Sequence, residues 1–210
     1  MKKGLAELVF IIDRSGSMSG LEEDTIGGFN TMLKDQKEVE VEAVVTTVLF
    51  DNDIELLHDR VDIQALSPMT KGDYQVRGCT ALLDAIGMAI HKIRKAHHSM
   101  NDDYVPEKTM FFIITDGLEN ASHHYTAGMI KERIEHQKKK HGWEFLFFGA
   151  NMDAICEAGK IGIDKDHVTS YQADAKGIAR SYQQMSYTSS VYRSVDISGR
   201  DVDWNKKMNK

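Results

Sequence analysis

The sequence predicts an α/β fold: a doubly wound, mostly parallel sheet with one antiparallel edge strand and helices on both faces. Strand-like and helix-like segments alternate along the chain, which is typical of parallel strands joined by crossover helices. Two strand-like segments are continuously apolar, as expected for strands buried on both faces. The 210 residues include only two prolines and no internal repeat, so we expect a single domain.

The N-terminal part of the chain predicts three strands and one helix. The first strand is the apolar run 8–12, and Ile26, Phe29 and Leu33 then repeat at helical spacing. A second strand ends at turn residues 51–53, and the next strand follows closely enough to be its hairpin partner. This pair accounts for the predicted antiparallel edge. The predicted strands are 8–12, 39–50 and 54–61, and the predicted helix is 21–37.

The C-terminal part predicts three further strands and four helices. The strand that ends before Asp116-Gly117 contains Met-Phe-Phe-Ile-Ile and is expected to be buried on both faces. We expect the domain to cover residues 1–195 and residues 196–210 to form a polar tail. The predicted strands are 109–115, 143–149 and 167–171, and the predicted helices are 80–97, 126–140, 153–159 and 175–195.

Composition limits the classes of function. The formal net charge of −6 argues against a nucleic-acid partner, which would require a basic face. No apolar run is long enough to span a membrane, and acidic residues interrupt the N-terminal segment that resembles a secretory signal. The two cysteines, Cys79 and Cys156, lack metal-binding spacing, which fits a reducing compartment. We therefore expect a soluble cytoplasmic protein, whose oligomeric state the sequence does not indicate.

Oxygen-bearing side chains follow two predicted strands. Asp13, Ser15 and Ser17 alternate directly after the first strand, Asp116 follows the fourth strand, and Thr80 opens a helix. In a doubly wound sheet, ligands bind beyond the carboxyl ends of the strands where the strand order reverses. If the first and fourth strands are neighbours there, their two carboxylates approach each other and repel unless a cation or a proton lies between them.

Two explanations for these oxygens remain open from the residues alone. Carboxylates and hydroxyls without His or Cys suit Mg²⁺, Mn²⁺ or Ca²⁺ and do not suit zinc, and Mg²⁺ commonly retains several waters. Alternatively, Asp13, Ser15 and Ser17 form a capping cluster for a helix that begins near Ser19.

The full set of motifs resembles a known family. Asp13-x-Ser15-x-Ser17, Thr80 and Asp116 in Thr-Asp-Gly are similar to the metal-ion-dependent adhesion site (MIDAS) of von Willebrand factor A (VWA) domains. Residues 78–85 resemble the threonine loop of that family, and residues 148–154 resemble a segment of its small intracellular bacterial or phage members. Cys79 departs from the pattern, because a second glycine is frequent at that position.

The resemblance implies a Rossmann-like VWA fold and a role for each matching residue. Ser15 and Ser17 would coordinate a divalent ion directly, and Thr80 directly or through water. Asp13 and Asp116 would act mainly through water or at the periphery of the site. The vacant coordination position would accept an Asp or Glu carboxylate from a partner protein. The implied function is a Mg²⁺-dependent protein–protein interaction module without catalytic activity.

Two other functions are weighed against this one. A metal-dependent phosphatase or hydrolase would need a nucleophile or a general base near a metal-bound water, and the sequence has Asp13-Arg14-Ser15 where aspartate-based phosphatases have Asp-x-Asp. An accessory subunit of an ATPase or stress-response complex is a special case of the binding module.

Four other sequence features have competing explanations. Asp84 is either a support for the threonine loop or a solvated helix carboxylate, Cys79 is expected to pack as a small residue, and Arg14 is expected to pack or to lie at the rim. The pairs His97-His98 and His123-His124 would each be a weak zinc site on their own.

Overall fold

The computed structural model describes residues 1–150 and 153–195 as a six-stranded sheet with helices on both faces. The strands are β1 (Lys2–Asp13), β2 (Glu42–Phe50), β3 (Ile54–Asp62), β4 (Pro106–Thr115), β5 (Glu144–Ala150) and β6 (Val168–Tyr171). The α-helices are α1 (Glu22–Lys37), α2 (Leu82–Ser99), α3 (Ala127–His141), α4 (Ala154–Lys160) and α5 (Ala175–Ser194). The predicted tail, 196–210, lies outside the described residues.

The strand order is β3-β2-β1-β4-β5-β6, and β3 is the only antiparallel strand among those described. The chain adds β2 and β3 on one side of β1 and adds β4 to β6 on the other, so the strand order reverses between β1 and β4. Ile12 of β1 pairs with Ile114 of β4. The predicted fold class and antiparallel edge are confirmed.

Side chains of β1 alternate between two apolar cores. Leu8, Phe10 and Ile12 pack with α1 and α5 on one face, whereas Val9 and Ile11 pack with α2, α3 and α4 on the other. The period of two that places successive side chains on opposite faces thus produces both cores. Every residue of β1 from Leu5 onward is buried. The predicted apolar run 8–12 accounts for five of these positions, while Glu7 and Asp13 are charged residues that are buried as well.

Several predicted boundaries differ from the structure by a few residues. β1 begins at Lys2, earlier than predicted, because the exposed residues 2–4 extend the strand beyond its apolar core. β4 likewise begins at Pro106, ahead of its apolar run, and β2 begins later than predicted, at Glu42. The polar residues at the ends of a strand do not belong to its apolar run. The apolar pattern therefore cannot locate these ends.

Buried cations anchor the C-terminal end of α5. The Lys108 ammonium donates to the carbonyl oxygens of Tyr192 at 2.8 Å, Arg193 at 3.0 Å and Val195. The carbonyls of Tyr192 and Arg193 belong to the last turn of the helix and that of Val195 to its C-cap residue, positions at which carbonyls lack intrahelical donors. The buried Arg193 guanidinium donates to the Gln36 carbonyl oxygen at 2.6 Å, and burial lowers its pKa to about 10. α5 is therefore fixed to both β4 and the end of α1.

None of the described helices is both long and apolar enough to cross a bilayer.

Candidate functional site

Three separate segments meet where β1 and β4 end. Asp13 is the last residue of β1, Asp116 directly follows β4, and Thr80 lies two residues before α2. Parallel pairing of β1 and β4 brings the two aspartates to the same edge of the sheet. The loop after β1 then carries Ser15 and Ser17 across that edge.

The three predicted hydroxyls form a cluster. Ser15 Oγ lies 3.1 Å from Ser17 Oγ and 3.0 Å from Thr80 Oγ1. The Ser17 hydroxyl donates to a carboxylate oxygen of Asp116. Ser15 and Thr80 are buried, whereas Ser17 is exposed, so the cluster opens to solvent on the Ser17 side.

Asp13 lies beneath this cluster and reaches it through the backbone of Ser15. Its Oδ1 accepts the Ser15 N–H at 2.7 Å and its Oδ2 accepts the Thr115 hydroxyl at 2.5 Å. Burial raises the pKa of the Asp13 carboxyl to about 6, and these hydrogen bonds oppose the rise. Burial also raises the pKa of Asp116, with the Ser17 hydrogen bond opposing it. The structure thus brings together all five residues predicted for the site.

Two supports of Asp13 are absent from the predicted site. Thr115 donates to the carboxylate, and the buried Tyr74 hydroxyl donates to the Asp13 carbonyl oxygen at 2.5 Å. From the sequence, Thr115 is only weakly indicated as part of the site, because a polar residue at the end of an apolar strand is common. Its position in the Thr-Asp-Gly motif could have led to its inclusion among the predicted site residues. Nothing in the sequence indicates this role for Tyr74, because it lies in a loop 61 positions from Asp13.

Gly117 permits close approach of the β4 loop to the hydroxyls. A Cβ at this residue would lie 2.9 Å from Thr80 Oγ1 and 3.2 Å from Ser17 Oγ. Both separations are shorter than ordinary van der Waals contact, so a larger residue would displace the hydroxyls. The glycine therefore contributes space to the site.

The loop before Thr80 is attached to the loop after β1. Gly16 N–H donates to the Gly78 carbonyl oxygen at 3.1 Å, and Arg77 N–H donates to the Arg14 carbonyl oxygen at 2.9 Å. Gly78 has φ +66°, where a Cβ would lie 2.1 Å from Asn52 Oδ1. Cys79 is exposed, so the expectation that it packs as a small residue is wrong. Its backbone N–H is directed to Asn52 instead.

The loop after β4 is attached to the start of α2. Thr80 N–H donates to Asn120 Oδ1 at 2.9 Å, and Asn120 N–H donates to the Thr80 carbonyl oxygen at 3.1 Å. The buried Asp84 carboxylate accepts the backbone N–H groups of His123, His124 and Tyr125. Burial opposes ionisation of Asp84, but these hydrogen bonds outweigh it and lower the pKa. Asp84 is therefore not a solvated helix carboxylate, but the segment that its carboxylate supports is the one between β4 and α3 and not the predicted threonine loop.

The capping explanation for the serines fails on geometry. α1 begins at Glu22, later than Ser19, and its N-cap residue Leu21 makes no side-chain capping bond. Ser15 precedes only a single 3₁₀ turn and also makes no side-chain capping bond there. The hydroxyls of Ser15 and Ser17 are instead directed at each other, Thr80 and Asp116.

Arg14 belongs to a separate ion-pair group beside the site. Its guanidinium pairs with Asp51 at 2.9 Å and with Glu55 at 2.5 Å, and Arg77 pairs with the same Asp51. Within the described chain, neither Asp13 nor Asp116 forms a salt bridge. The cations nearest in sequence to the site thus neutralise other carboxylates.

The histidine pairs take part in other contacts. His97 Nε2 contacts the buried Glu7 carboxylate, which also pairs with Arg60 at 2.6 Å. The backbones of His123 and His124 are bound by Asp84. Across residues 1–150 and 153–195, no three His, Cys, Asp or Glu residues are grouped as a metal site.

Comparison with known proteins gives matches in structure but none in sequence. No protein-family model and no curated protein matches the chain. The VWF domain of the type V pili tip protein Mfa5 from Porphyromonas gingivalis aligns with a TM-score of 0.65 and 12% identity, over 94% of this chain and 98% of that one. The chain therefore has the fold of VWA domains.

Two further matching structures contain a metal ion. Proximal thread matrix protein 1 from the mussel byssus, with a zinc-occupied MIDAS motif, aligns with a TM-score of 0.60 and 13% identity, over 88% of this chain and 46% of that one. The manganese-loaded TRAP protein of Plasmodium vivax aligns with a TM-score of 0.60 and 15% identity, over 86% of this chain and 73% of that one. This chain thus spans less than half of the mussel protein.

Proposed function

We propose that this protein is a divalent-cation-dependent protein–protein interaction module of the small intracellular VWA type. Asp13, Ser15, Ser17, Thr80 and Asp116 would hold Mg²⁺, with Mn²⁺ or Ca²⁺ as alternatives, and a partner protein would supply an Asp or Glu carboxylate to the ion. The observation that carries this proposal is the cluster of three hydroxyls between two aspartates, assembled from three distant segments.

The donor chemistry fits such an ion. Every predicted ligand atom is a carboxylate or hydroxyl oxygen, as hard divalent cations prefer. Gly117 leaves room beside Thr80 and Ser17 that a Cβ would fill. The matched structures described with zinc and manganese support including those metals in the test.

The electrostatics also support a cation. Burial raises the pKa of both Asp13 and Asp116, which means that ionising these carboxyls without a counter-charge is unfavourable. A divalent cation would offset that cost and would supply Lewis acidity for a partner's carboxylate. The neutral hydroxyls of Ser15, Ser17 and Thr80 would leave most of the ionic charge available to that carboxylate.

Binding is a better fit than hydrolysis. A hydrolase would require a carboxylate able to accept a proton from a water. Both Asp13 oxygens are instead engaged, by the Ser15 backbone and the Thr115 hydroxyl, and Asp116 accepts the Ser17 hydroxyl. We therefore propose that the site captures a ligand without transforming it.

The location we propose is the cytoplasm, since Cys79 and Cys156 are both exposed and unpaired, which is typical of proteins in a reducing compartment.

The direct test is thermal unfolding in EDTA and in millimolar Mg²⁺, Mn²⁺, Ca²⁺ or Zn²⁺. A cation at 100 times its Kd should raise stability by about 2.7 kcal/mol. Ser17→Ala and Thr80→Ala should lose most of this increase, whereas the exposed control Ser19→Ala should keep it. An unfolding temperature that does not respond to any of these cations would contradict the metal site.

Partner capture is tested with tagged protein and native lysate in Mg²⁺ and in EDTA. A partner retained by the wild type only in Mg²⁺, and lost by Asp13→Ala, would support the interaction module. If retention of the partner depends on neither the metal nor the mutation, the partner docks at a surface other than the metal site.

A further inference from the structure

The two edge strands of the sheet differ in how they are protected from pairing with a further strand. β3 is irregular, because its register with β2 shifts twice and Arg60 has φ +50°. Its exposed side chains include Glu55, Asp59 and Asp62. Irregular backbone and charged side chains are features that keep an edge strand from adding another strand. β3 is therefore a poor site for such pairing.

β6, at the other edge, is protected only by its short length of four residues. Its sequence Val-Thr-Ser-Tyr contains no charged residue and no proline, and its register with β5 is regular over residues 168–171. Within the part of the chain that the structure describes, β5 is the only strand paired with β6. An edge strand presents unpaired N–H and C=O groups along its outer side. The outer side of β6 is therefore suited to pairing with an extended chain.

A groove of about 650 Å³ lies between β6 and the first turns of α5. Thr169 and Tyr171 of the strand line it on one side, and Lys176, Arg180 and Gln184 of the helix line it on the other. We call this space the β6 groove. None of its described lining residues belongs to the candidate metal site. The groove is thus a separate feature of the molecule, with a volume in the range of ligand pockets.

The walls of the β6 groove are fixed by close packing and hydrogen bonds. Gly177 lets α5 approach the end of β6, since a Cβ there would lie 1.9 Å from the Gln172 carbonyl oxygen. Asp174 accepts the Gly177 N–H at 2.7 Å, and the Tyr171 hydroxyl donates to the Thr115 carbonyl oxygen at 3.3 Å. The groove therefore needs little reorganisation to accept a ligand, which lowers the entropic cost of binding.

The charges in the β6 groove are opposite in sign to the net charge of the chain. Lys176 and Arg180 are exposed, and no salt bridge among the described residues involves either of them. One carboxylate, that of Asp174, also lines the groove, at the N-cap of α5. Two cations and one anion thus line a groove on a chain of net charge −6. Charge complementarity favours an acidic ligand.

A second copy of this chain is a poorer ligand for the same groove. A symmetric dimer paired through β6 would use the same surface of both copies. It would therefore bring Lys176 and Arg180 of one copy close to the same two cations of the other. Like charges that face each other across an interface disfavour association.

The spacing of the two cations matches that of an extended strand. Four helical residues, as from Lys176 to Arg180, rise about 6 Å, and alternate residues of a strand are about 6.6–6.8 Å apart. A chain that pairs with β6 directs every second side chain to the α5 side of the sheet. Acidic side chains at positions i and i+2 of that chain therefore match both cations.

We propose that the β6 groove binds an extended acidic segment of a partner protein, which adds to the sheet beside β6. Backbone hydrogen bonds with the outer side of β6 hold the segment, and Lys176 and Arg180 select Asp or Glu at alternate positions. In strand addition of this kind, main-chain hydrogen bonds give affinity and side-chain contacts give specificity. No metal ion takes part, so the inference goes beyond the proposed function and does not rest on it.

The test uses displayed heptapeptides of random sequence, selected in EDTA to remove any contribution of the metal site. Wild type should enrich peptides with Asp or Glu at positions i and i+2. The double variant Lys176→Glu, Arg180→Glu should bind the best peptide at least about tenfold more weakly. The charge-matched control Lys139→Glu, Lys140→Glu alters two exposed cations of α3 and should bind as the wild type does.

Strand pairing is tested separately with N-methylated forms of the best peptide. Alternate amides of a strand face the same neighbour, so methylating one alternating set should abolish binding, whereas methylating the other set should leave it unchanged. Amide hydrogen exchange of residues 168–172 should also slow when the unmodified peptide binds.

Several results would overturn the inference. They are the absence of any enriched peptide, equal binding by the wild type and the charge-reversed variant, and equal effects of methylation at the two sets of amides. A dimer in light scattering, with slow exchange of residues 168–172 in the absence of peptide, would also overturn it, because a second copy would then occupy the edge. None of these results alters the expected Mg²⁺ response, which tests the proposed function on its own.

Discussion

Thr115 and Gly117 matter to the candidate site although neither belongs to the predicted ligand set. Thr115 donates its hydroxyl proton to Asp13 and so orients the carboxylate beneath the hydroxyl cluster. Gly117 leaves space between Ser17 and Thr80. Individual residues around the predicted ligands therefore decide whether the five oxygens can converge on one ion.

Gly117→Ala should weaken cation binding with little effect on the fold. The added methyl would displace Thr80 Oγ1 and Ser17 Oγ, and overpacking of this kind typically costs about 1–3 kcal/mol. We expect Mg²⁺ affinity to fall about tenfold or more, measured by isothermal titration calorimetry.

Gly128→Ala is the matched control for this substitution. A Cβ at Gly128 meets only Thr126 Oγ1 at 4.0 Å, and alanine in a helix is favoured over glycine by about 0.5–1 kcal/mol. The control should gain stability and keep the wild-type affinity. Unchanged affinity in Gly117→Ala would place the ion away from Ser17 and Thr80.

Hydrogen bonds attach the segment between β4 and α3 to the first turn of α2. Asp84 of α2 accepts three of its backbone N–H groups, and Ser122 Oγ accepts the Asp84 N–H at 3.0 Å. This reciprocal pairing connects the Thr80 side of the site to the Asp116 side. We therefore expect that a mutation that destabilises the start of α2 also destabilises the segment between β4 and α3.

Asp84→Ala should lower the free energy of unfolding by about 2–3 kcal/mol, since it removes a charged acceptor from three backbone donors. Urea denaturation measures this loss, and the exposed Asp103→Ala should change stability by less than about 0.5 kcal/mol. Cation affinity should fall as well, because Thr80 and Asn120 share this support. A loss in Asp84→Ala no larger than in Asp103→Ala would mean that the loop is held mainly by Glu119.

Over the whole molecule, ionisation of Asp13 links stability to pH. Its folded pKa of about 6 exceeds the ordinary value of about 3.9, so the folded state binds this proton more tightly than the unfolded state. Its contribution to stability is complete below about pH 4 and is lost as the pH rises to about 6. For the metal-free protein this loss is on the order of 2–3 kcal/mol.

Asp13→Asn should therefore flatten the pH dependence of metal-free stability between about pH 4 and 6. Asn keeps an acceptor for the Ser15 N–H, so the loop geometry is expected to persist. Mg²⁺ should stabilise the wild type more at pH 7.5 than at pH 5, because protons compete for the same oxygens. Denaturant titrations across this range measure both effects, and equal slopes in wild type and variant would contradict the assignment to Asp13.

The fold was largely predictable, whereas the supports of the site were not. Short continuous apolar runs such as 110–114, bounded by turn residues, indicate buried strands, and the Asp51-Asn52-Asp53 turn indicated the antiparallel β3. Parallel pairing of β1 and β4 places Asp13 and Asp116 at one edge of the sheet, whereas hydrogen bonds between loops bring Ser15, Ser17 and Thr80 to the same edge. By contrast, Tyr74 and Asp84 act through contacts between distant segments, which no local pattern contains.

The large separation in sequence between the site residues also affects folding kinetics. Ser17 and Asp116 are 99 positions apart and meet only after β1 and β4 have paired, which is a slow, non-local step in folding. A cation that needs both residues would bind only after the loops beyond these strands have met, which we expect to follow the rate-limiting pairing of β1 and β4. It should therefore slow unfolding and leave the refolding rate unchanged, so the ion would protect the finished protein without guiding its formation.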